Sequence, residues 1–166
     1  MPLLTYAQVR PWAKAIKEEV HERRMPPWGA IKGFGEFKDD NSLTAEEIHL
    51  IADWVEGGAP EGDPQYLPAV PVVVPSKKPA APTRLLRDGM RLERPLRLLS
   101  IESGSAMQAV AMLPDGATVP LLWLYNFQPK FARAYEYREP VRLPAGTVVR
   151  ISGGTGSVRV AAAAKP

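Results

Sequence analysis

Cysteine is absent from this chain of 166 residues, and histidine occurs only twice. Without cysteine there can be no disulfide, no thiolate nucleophile, no cysteine-ligated zinc and no iron–sulfur cluster. Both histidines, His21 and His49, lie in the first part of the chain, so residues 85–166 contain no imidazole. In that region a nucleophile has no obvious general base, and a copper ion has no imidazole ligand.

Long apolar runs are also missing, since no stretch approaches the ~18 apolar residues of a membrane span. The net charge of +3 is too small to indicate a nucleic-acid partner. Residues 1–66 carry 7 Lys and Arg against 12 Asp and Glu, whereas residues 85–166 carry 11 against 6. This asymmetry predicts either two modules that attract each other or simply two solvated surfaces of different composition.

The first 66 residues have the periodicity of a small helical segment. Two capping-box patterns, in which a threonine is followed three residues later by Gln or Glu, begin at Thr5 and Thr44. We predict a short turn over residues 6–10, a helix over about 11–23, and a second helix that ends at Gly57. The residues between the two helices are predicted to form a glycine-containing loop.

Residues 67–84 are rich in proline, which disfavours a helix and favours extended backbone, so we interpret them as a linker. Residues 70–74 could add an edge strand. From residue 85 to residue 166, short apolar runs alternate with turn signals. The predicted strands are 96–101, 107–113, 119–125, 132–138, 148–152 and 158–162. This spacing favours an antiparallel β-sandwich or jelly roll, so the predicted fold class is α+β in two modules.

The stretch LLTYAQVRPWAKAIKEEV…RRMPPW…WVEGGAPEGDP, within residues 3–64, closely resembles the C-terminal two-thirds of a bacterial c-type cytochrome domain. In that family a Cys-x-x-Cys-His segment lies shortly upstream of this stretch, and the methionine before Pro-Pro-Trp is the second axial ligand of the haem. The resemblance assigns that role to Met25. It also implies that Trp28, Phe34 and Phe37 could wall a porphyrin face. From the residues alone, a methionine in an aromatic loop is more often core packing than a ligand.

The attachment motif of that family is missing from this sequence, so no covalent haem is expected for this chain. Haem c is implied only for an intact protein that carries the motif. We predict that His21 is solvated and that His49 is partly buried, neither of them a replacement ligand. The simplest explanation is that Met1 is an internal methionine or the edge of a fragment, and that the motif and a secretion signal are encoded upstream.

A second stretch, MLPDGATVPLLWLYNFQPKFARAYEYREPVRLPAGTVVRI, resembles the C-terminal half of the β-sandwich of copper type II, ascorbate-dependent monooxygenases. In register with that family, its His-x-His copper pair falls on Leu99 and Ile101, neither of which can bind copper. Met107 is interpreted as strand core. Oxygenase chemistry is therefore not expected from this chain.

Three interpretations follow, in decreasing order of preference. The first is part of a periplasmic or secreted cytochrome-like electron-transfer protein, with a redox partner protein and no membrane span. The second is a metal-free β-sandwich that acts as a binding or scaffold module. The third is an oxidoreductase related to the copper monooxygenases. None of the three assigns a catalytic residue to this chain.

Overall fold

The computed structural model describes residues 3–67, 83–125 and 127–163. The chain divides into two compact units, one formed by Met1–Pro26 with Leu43–Pro79 and the other by Pro27–Ser42 with Ala80–Pro166. Among the described residues, short helices occur in the first unit and antiparallel sheets in the second. The prediction of an α+β protein is therefore confirmed at this coarse level. The predicted edge strand over 70–74 lies outside the described residues.

The described part of the first unit contains three α-helices, and two of them begin with the predicted caps. They are α1 (Tyr6–Val9), α2 (Ala13–His21) and α3 (Ala45–Glu56), and a 3₁₀ turn (Arg10–Trp12) joins α1 to α2. The Thr5 and Thr44 side chains each accept the backbone N–H three residues on, and the Gln and Glu at those positions complete both capping boxes. The predicted turn, first helix and second helix are thus confirmed.

The packing of the first unit is shallow. Its described part buries only three apolar side chains, Ala13, Val20 and Ala59. The predicted apolar face of α3 is only half buried, and α3 contains no buried residue. Helices α2 and α3 are tied by an ion pair between Lys17 and Glu56.

Seven strands form two antiparallel sheets in the second unit. They are β1 (Thr83–Arg87), β2 (Leu96–Glu102), β3 (Met107–Met112), β4 (Thr118–Leu124), β5 (Tyr135–Leu143), β6 (Val148–Ser152) and β7 (Ser157–Ala162). The four-stranded sheet has the order β1-β7-β2-β5, and the three-stranded sheet has the order β4-β3-β6. Buried side chains of both sheets, among them Leu98, Ile101, Leu122 and Val149, belong to one apolar cluster.

All six predicted strands are present, with β5 displaced and β1 missed. Strand β5 begins three residues after the predicted start at 132 and runs on through Pro140, beyond the predicted end at 138. The pairing of β5 with β2 is interrupted there, because Leu98 pairs with Val141 whereas Ser100 pairs with Glu136. A proline has no N–H to donate, and the interruption leaves none required at that position.

Residues 27–42, here named the closing segment, are not part of the helical unit as the sequence suggested. They pair with the exposed edges of both sheets in the second unit. The Ile31 N–H donates to the Trp123 carbonyl at 2.9 Å, on edge strand β4. The Lys38 N–H donates to the Glu136 carbonyl at 2.8 Å, on edge strand β5.

The opposite edge of the three-stranded sheet, strand β6, is covered in the same manner by residues 89–92. The Leu92 N–H donates to the Thr147 carbonyl at 2.8 Å, and the Val149 N–H donates to the Met90 carbonyl at 2.9 Å. Unpaired sheet edges are templates for aggregation, so both connecting segments protect the second unit.

Candidate functional site: an exposed thioether and an aromatic segment

Met25 follows the C-terminus of α2, where the backbone turns sharply. Arg23 has a left-handed φ of 55°. Its N–H donates to the Val20 carbonyl at 3.0 Å, and the Arg24 N–H donates to the Glu19 carbonyl at 2.8 Å. This is the Schellman arrangement that ends many helices. The Met25 N–H also donates to the Glu19 carbonyl, at 3.1 Å, so the backbone of the methionine is fixed to the last turn of α2.

Arg24, the residue before Met25, adds a second restraint. Its Nε lies 3.0 Å from Glu19 Oε2, and its Nη2 lies 3.0 Å from Glu19 Oε1. Bidentate pairing of this kind fixes both distance and direction. The hydrogen bond to Glu19 raises the pKa of Arg24 above its ordinary value. The Met25 backbone therefore follows a residue whose side chain is itself held to the helix.

The Met25 side chain is 46 % exposed, so it does not fill the core of the first unit. Met25 is therefore not a core residue of the first unit, which was the alternative interpretation. A thioether sulfur is a neutral, soft donor, and on haem iron it raises the reduction potential. The structure shows an exposed residue on a restrained backbone, and its role as a haem ligand stays a prediction.

The aromatic residues proposed as porphyrin walls belong to the second unit, whereas Met25 belongs to the first. Phe37 is 3 % exposed, and its ring stacks on Tyr137 at a centroid distance of 5.2 Å. The Trp28 ring meets Tyr135 edge-on at 5.0 Å. Both rings are thus occupied by packing within the second unit. A haem contact by either remains a prediction.

Phe34 occupies a different place, at the rim of the three-stranded sheet. Its ring meets the Trp123 ring edge-on at 5.6 Å. The next residue, Gly35, has a left-handed φ of 96°. A Cβ on Gly35 would lie 2.6 Å from the Phe37 ring and 2.7 Å from the Leu121 carbonyl oxygen, so only glycine fits.

The two tyrosines under the closing segment were not singled out from the sequence. Burial raises the pKa of Tyr137, whose hydroxyl donates to the Leu121 carbonyl at 3.0 Å. Burial also raises the pKa of Tyr135, while a hydrogen bond from the Gly29 backbone and the charge of Arg133 partly oppose that shift. The alternating pattern Tyr135-Glu136-Tyr137 was the available signal, because residues two apart share one face of a strand.

The predicted burial agrees with the structure for one of the two histidines. His21 is exposed, as predicted. His49 is also exposed, so the prediction that it is partly buried is wrong; it projects from the open side of α3. Within residues 3–67, 83–125 and 127–163, no three His, Asp or Glu side chains converge as a metal site would require.

Leu99 and Ile101, which the resemblance places at a copper pair, both lie in strand β2. Ile101 is fully buried in the core, and Leu99 lies where the pairing register of β2 shifts. Met107 is 4 % exposed and belongs to the apolar cluster, as predicted.

No family model, curated protein or solved structure matches this chain. No helix in the described part of the chain has the length and apolar character needed to cross a membrane.

Proposed function

We propose that this chain supplies the methionine side of a c-type haem site in a periplasmic or secreted electron-transfer protein. The Cys-x-x-Cys-His segment of that site would lie on sequence outside this chain. The observation that carries the proposal is the exposed thioether of Met25 on a backbone fixed to α2 by the Glu19 carbonyl. A redox partner protein would receive or deliver the electron.

The packing of the first unit supports the same proposal. Large apolar side chains remain exposed among its described residues, including Leu4 at 70 %, Leu50 at 69 % and Trp12 at 48 %. A domain of this size buries a smaller share of its surface than a larger one does, and a cofactor is one means of completing its core. A haem placed against this unit would bury such side chains.

The residues present fit one side of a haem and not the whole site. Met25 offers one axial donor, and this chain contains no cysteine for attachment. When bound, a haem supplies reversible one-electron transfer. The chain itself would contribute the sulfur lone pair of Met25, the restraint of its backbone by Arg24 and Glu19, and apolar surface that excludes water.

The test supplies the Cys-x-x-Cys-His segment of the haem site as a separate peptide. A Cys-x-x-Cys-His peptide that carries covalent haem is titrated into the full chain, and the haem spectrum is recorded. We expect conversion to a low-spin spectrum with the charge-transfer band of methionine ligation. Met25→Ala should abolish that conversion. Met112→Ala, at a position in the second unit with the same 46 % exposure, should leave it unchanged.

Two results would refute the proposal. One is a haem spectrum that does not change at saturating chain concentration. The other is an equal loss of the conversion to the low-spin spectrum in Met25→Ala and Met112→Ala. Magnetic circular dichroism would distinguish thioether from imidazole ligation, because His21 and His49 are also exposed.

The second candidate is a metal-free β-sandwich that serves as a binding or scaffold module. The continuous core shared by both sheets and the fully buried Ile101 favour it. In this proposal the two sheets correspond to the copper monooxygenase sandwich without its metal. A chain that binds no haem peptide but keeps a cooperatively folded second unit would support this candidate over the first.

A further inference from the structure

Two arginines face each other across neighbouring strands of the four-stranded sheet. Arg97 on β2 lies directly opposite Arg142 on β5, and both side chains are exposed. Their chain neighbours Leu98 and Leu143 are buried, so strand alternation places both arginines on the outward face. Among the paired residues of the described strands, no other pair joins two charges of the same sign.

The hydrogen-bond pattern brings these two side chains close together. The Ala163 N–H donates to the Arg97 carbonyl at 3.0 Å, so the backbone polar groups of Arg97 point toward β7 and away from β5. Arg97 and Arg142 are therefore a non-hydrogen-bonded pair of the antiparallel ladder. In such a pair the Cα atoms are about 4.5 Å apart and the side chains lie closer than in a hydrogen-bonded pair. Like charges that are directly opposite in this way destabilise a sheet.

No Asp or Glu of this chain offsets that repulsion. Every Asp and Glu lies in the described part of the chain, and none has a carboxylate oxygen within 4.0 Å of the guanidinium of Arg97 or Arg142. On the same sheet, by contrast, Arg159 Nη1 lies 2.6 Å from Glu102 Oε1. The sheet thus pairs one arginine with a carboxylate and leaves the two opposed arginines without one.

The immediate surroundings of the two arginines are uncharged. Residues two positions before and after each arginine share its face in a regular strand. Here all four are apolar, and they are Pro95, Leu99, Pro140 and Pro144. Apolar surface lowers the local dielectric constant, so the attraction of both guanidinium groups for an anion is stronger than it would be in bulk water.

We propose that Arg97 and Arg142 bind the phosphoryl group of an anionic ligand between their guanidinium groups. Each guanidinium presents a rigid fork of N–H donors that can make two parallel hydrogen bonds to an oxyanion. A phosphate monoester carries a charge of about −1.5 to −2 near neutral pH and three acceptor oxygens, so it balances two guanidinium charges. A single carboxylate has one negative charge and two oxygens, so it would satisfy only one of the two forks.

The site is open to solvent, which limits its affinity. Solvent and salt screen the attraction between exposed charges, so we expect a dissociation constant for inorganic phosphate in the millimolar range. Binding replaces a repulsion between the two arginines by two attractions. Phosphate should therefore also raise the melting temperature of the second unit, because it binds the folded state.

The test is an NMR titration of the full chain with inorganic phosphate at constant ionic strength, with acetate in a parallel titration. In the wild type the Nε–Hε signals of Arg97 and Arg142 should shift together, and phosphate should saturate the shift at a lower concentration than acetate. Arg97→Gln and Arg142→Gln should each weaken phosphate binding by about tenfold, because one charge-assisted fork is lost. Arg87→Gln is the matched control. Arg87 is exposed on the same sheet opposite the uncharged Ser157, so this substitution should leave phosphate binding unchanged.

Two further measurements identify the source of the phosphoryl group. Titration with O-phosphoserine tests for a soluble phosphate monoester. Sedimentation with vesicles that contain phosphatidic acid, compared with vesicles of phosphatidylcholine alone, tests for a lipid headgroup. Either source supports the proposal if Arg97→Gln weakens the interaction and Arg87→Gln does not.

Three results would overturn the proposal. They are the absence of a saturable shift with phosphate, equal weakening by the Arg97→Gln and Arg87→Gln variants, and binding of poly-glutamate that is tighter than binding of every phosphate probe. The last result would indicate an acidic protein partner. If circular dichroism shows that a glutamine variant does not fold, Arg97→Lys keeps the charge and removes the fork. It should also weaken phosphate binding, and unchanged binding in this variant would contradict the proposal.

Discussion

The two units of this chain fill their interiors to very different extents. Among the described residues, the first unit buries only the small or medium side chains of Ala13, Val20 and Ala59, whereas the second buries leucines, valines and aromatic rings from two sheets. Burial of apolar surface is the main favourable term in folding. The comparison predicts that the second unit contributes most of the stability of the chain and that the first unit opens more readily.

The largest effect should come from the ring that anchors the closing segment. Phe37→Ala removes a side chain that is 3 % exposed and contacts two tyrosines. We expect it to lower the unfolding free energy of the second unit by about 3–5 kcal/mol. Chemical denaturation of the full chain measures the change. Phe34→Ala is the control. Because Phe34 is only half buried, this substitution should lower the unfolding free energy far less.

Amide exchange should separate the units directly. We expect protection factors in β2–β6 to exceed those in α2 and α3 by about two orders of magnitude or more, since local opening ranges from near zero to the global unfolding free energy. The sharper expectation concerns the closing segment. Its Ile31 and Lys38 amides should exchange as slowly as those of the strands that they pair with. Fast exchange at both amides, at the level of α3, would contradict the assignment of this segment to the second unit.

Loss of a helix cap should destabilise the first unit locally. Thr44→Ala removes the hydroxyl that accepts the Glu47 N–H at 3.1 Å. The expected cost is about 1 kcal/mol, which should appear as roughly fivefold faster exchange across α3. Thr44→Ser keeps the hydroxyl and should restore most of the protection. Identical exchange in the alanine variant and the wild type would mean that the cap does not limit the opening of α3.

The smallest effect should be a pH dependence confined to the first unit. The hydrogen bond from Lys17 lowers the pKa of Glu56 below its ordinary value of 4.5. A lowered pKa stabilises the folded state above 4.5, and this contribution is lost as the pH falls through the shifted pKa. Glu56 is exposed and Lys17 is half-buried, so solvent screens much of the effect. NMR signals of α3 recorded between neutral and acidic pH should show the loss, and Glu56→Gln should remove it while Glu61→Gln does not.

Prediction from the sequence succeeded where the deciding interactions are local. Thr44 and Glu47 are three residues apart, so a capping box could be recognised without any knowledge of the fold. The turn at Pro114-Asp115-Gly116 likewise depends on its own residues, and Gly116 adopts the positive φ that such turns favour. The helices, their caps and most strand positions were therefore predictable.

Prediction failed where residues distant in sequence determine the burial or the strand pairing. His49 was expected to be half buried because it lies beside an apolar face, yet α3 leaves that side open. Strand β1 was missed because its first two residues, Thr83 and Arg84, fall in the proline-rich region interpreted as a linker, and only the fold shows its pairing with β7. The candidate site divides in the same way: Met25 was proposed from its motif and its role as a ligand stays a prediction, whereas the packing of Phe37 depends on Tyr135 and Tyr137.

By itself the sequence determined the helix caps, the turns, most of the strands and the absence of every cysteine-based or imidazole-rich metal site. Only the tertiary structure decided that residues 27–42 belong with the sheets, and that the thioether of Met25 stays exposed. The reason is physical. A cap or turn is satisfied within a few residues, whereas a segment without regular structure takes its place from whichever unpaired sheet edges and apolar surface the rest of the chain offers it.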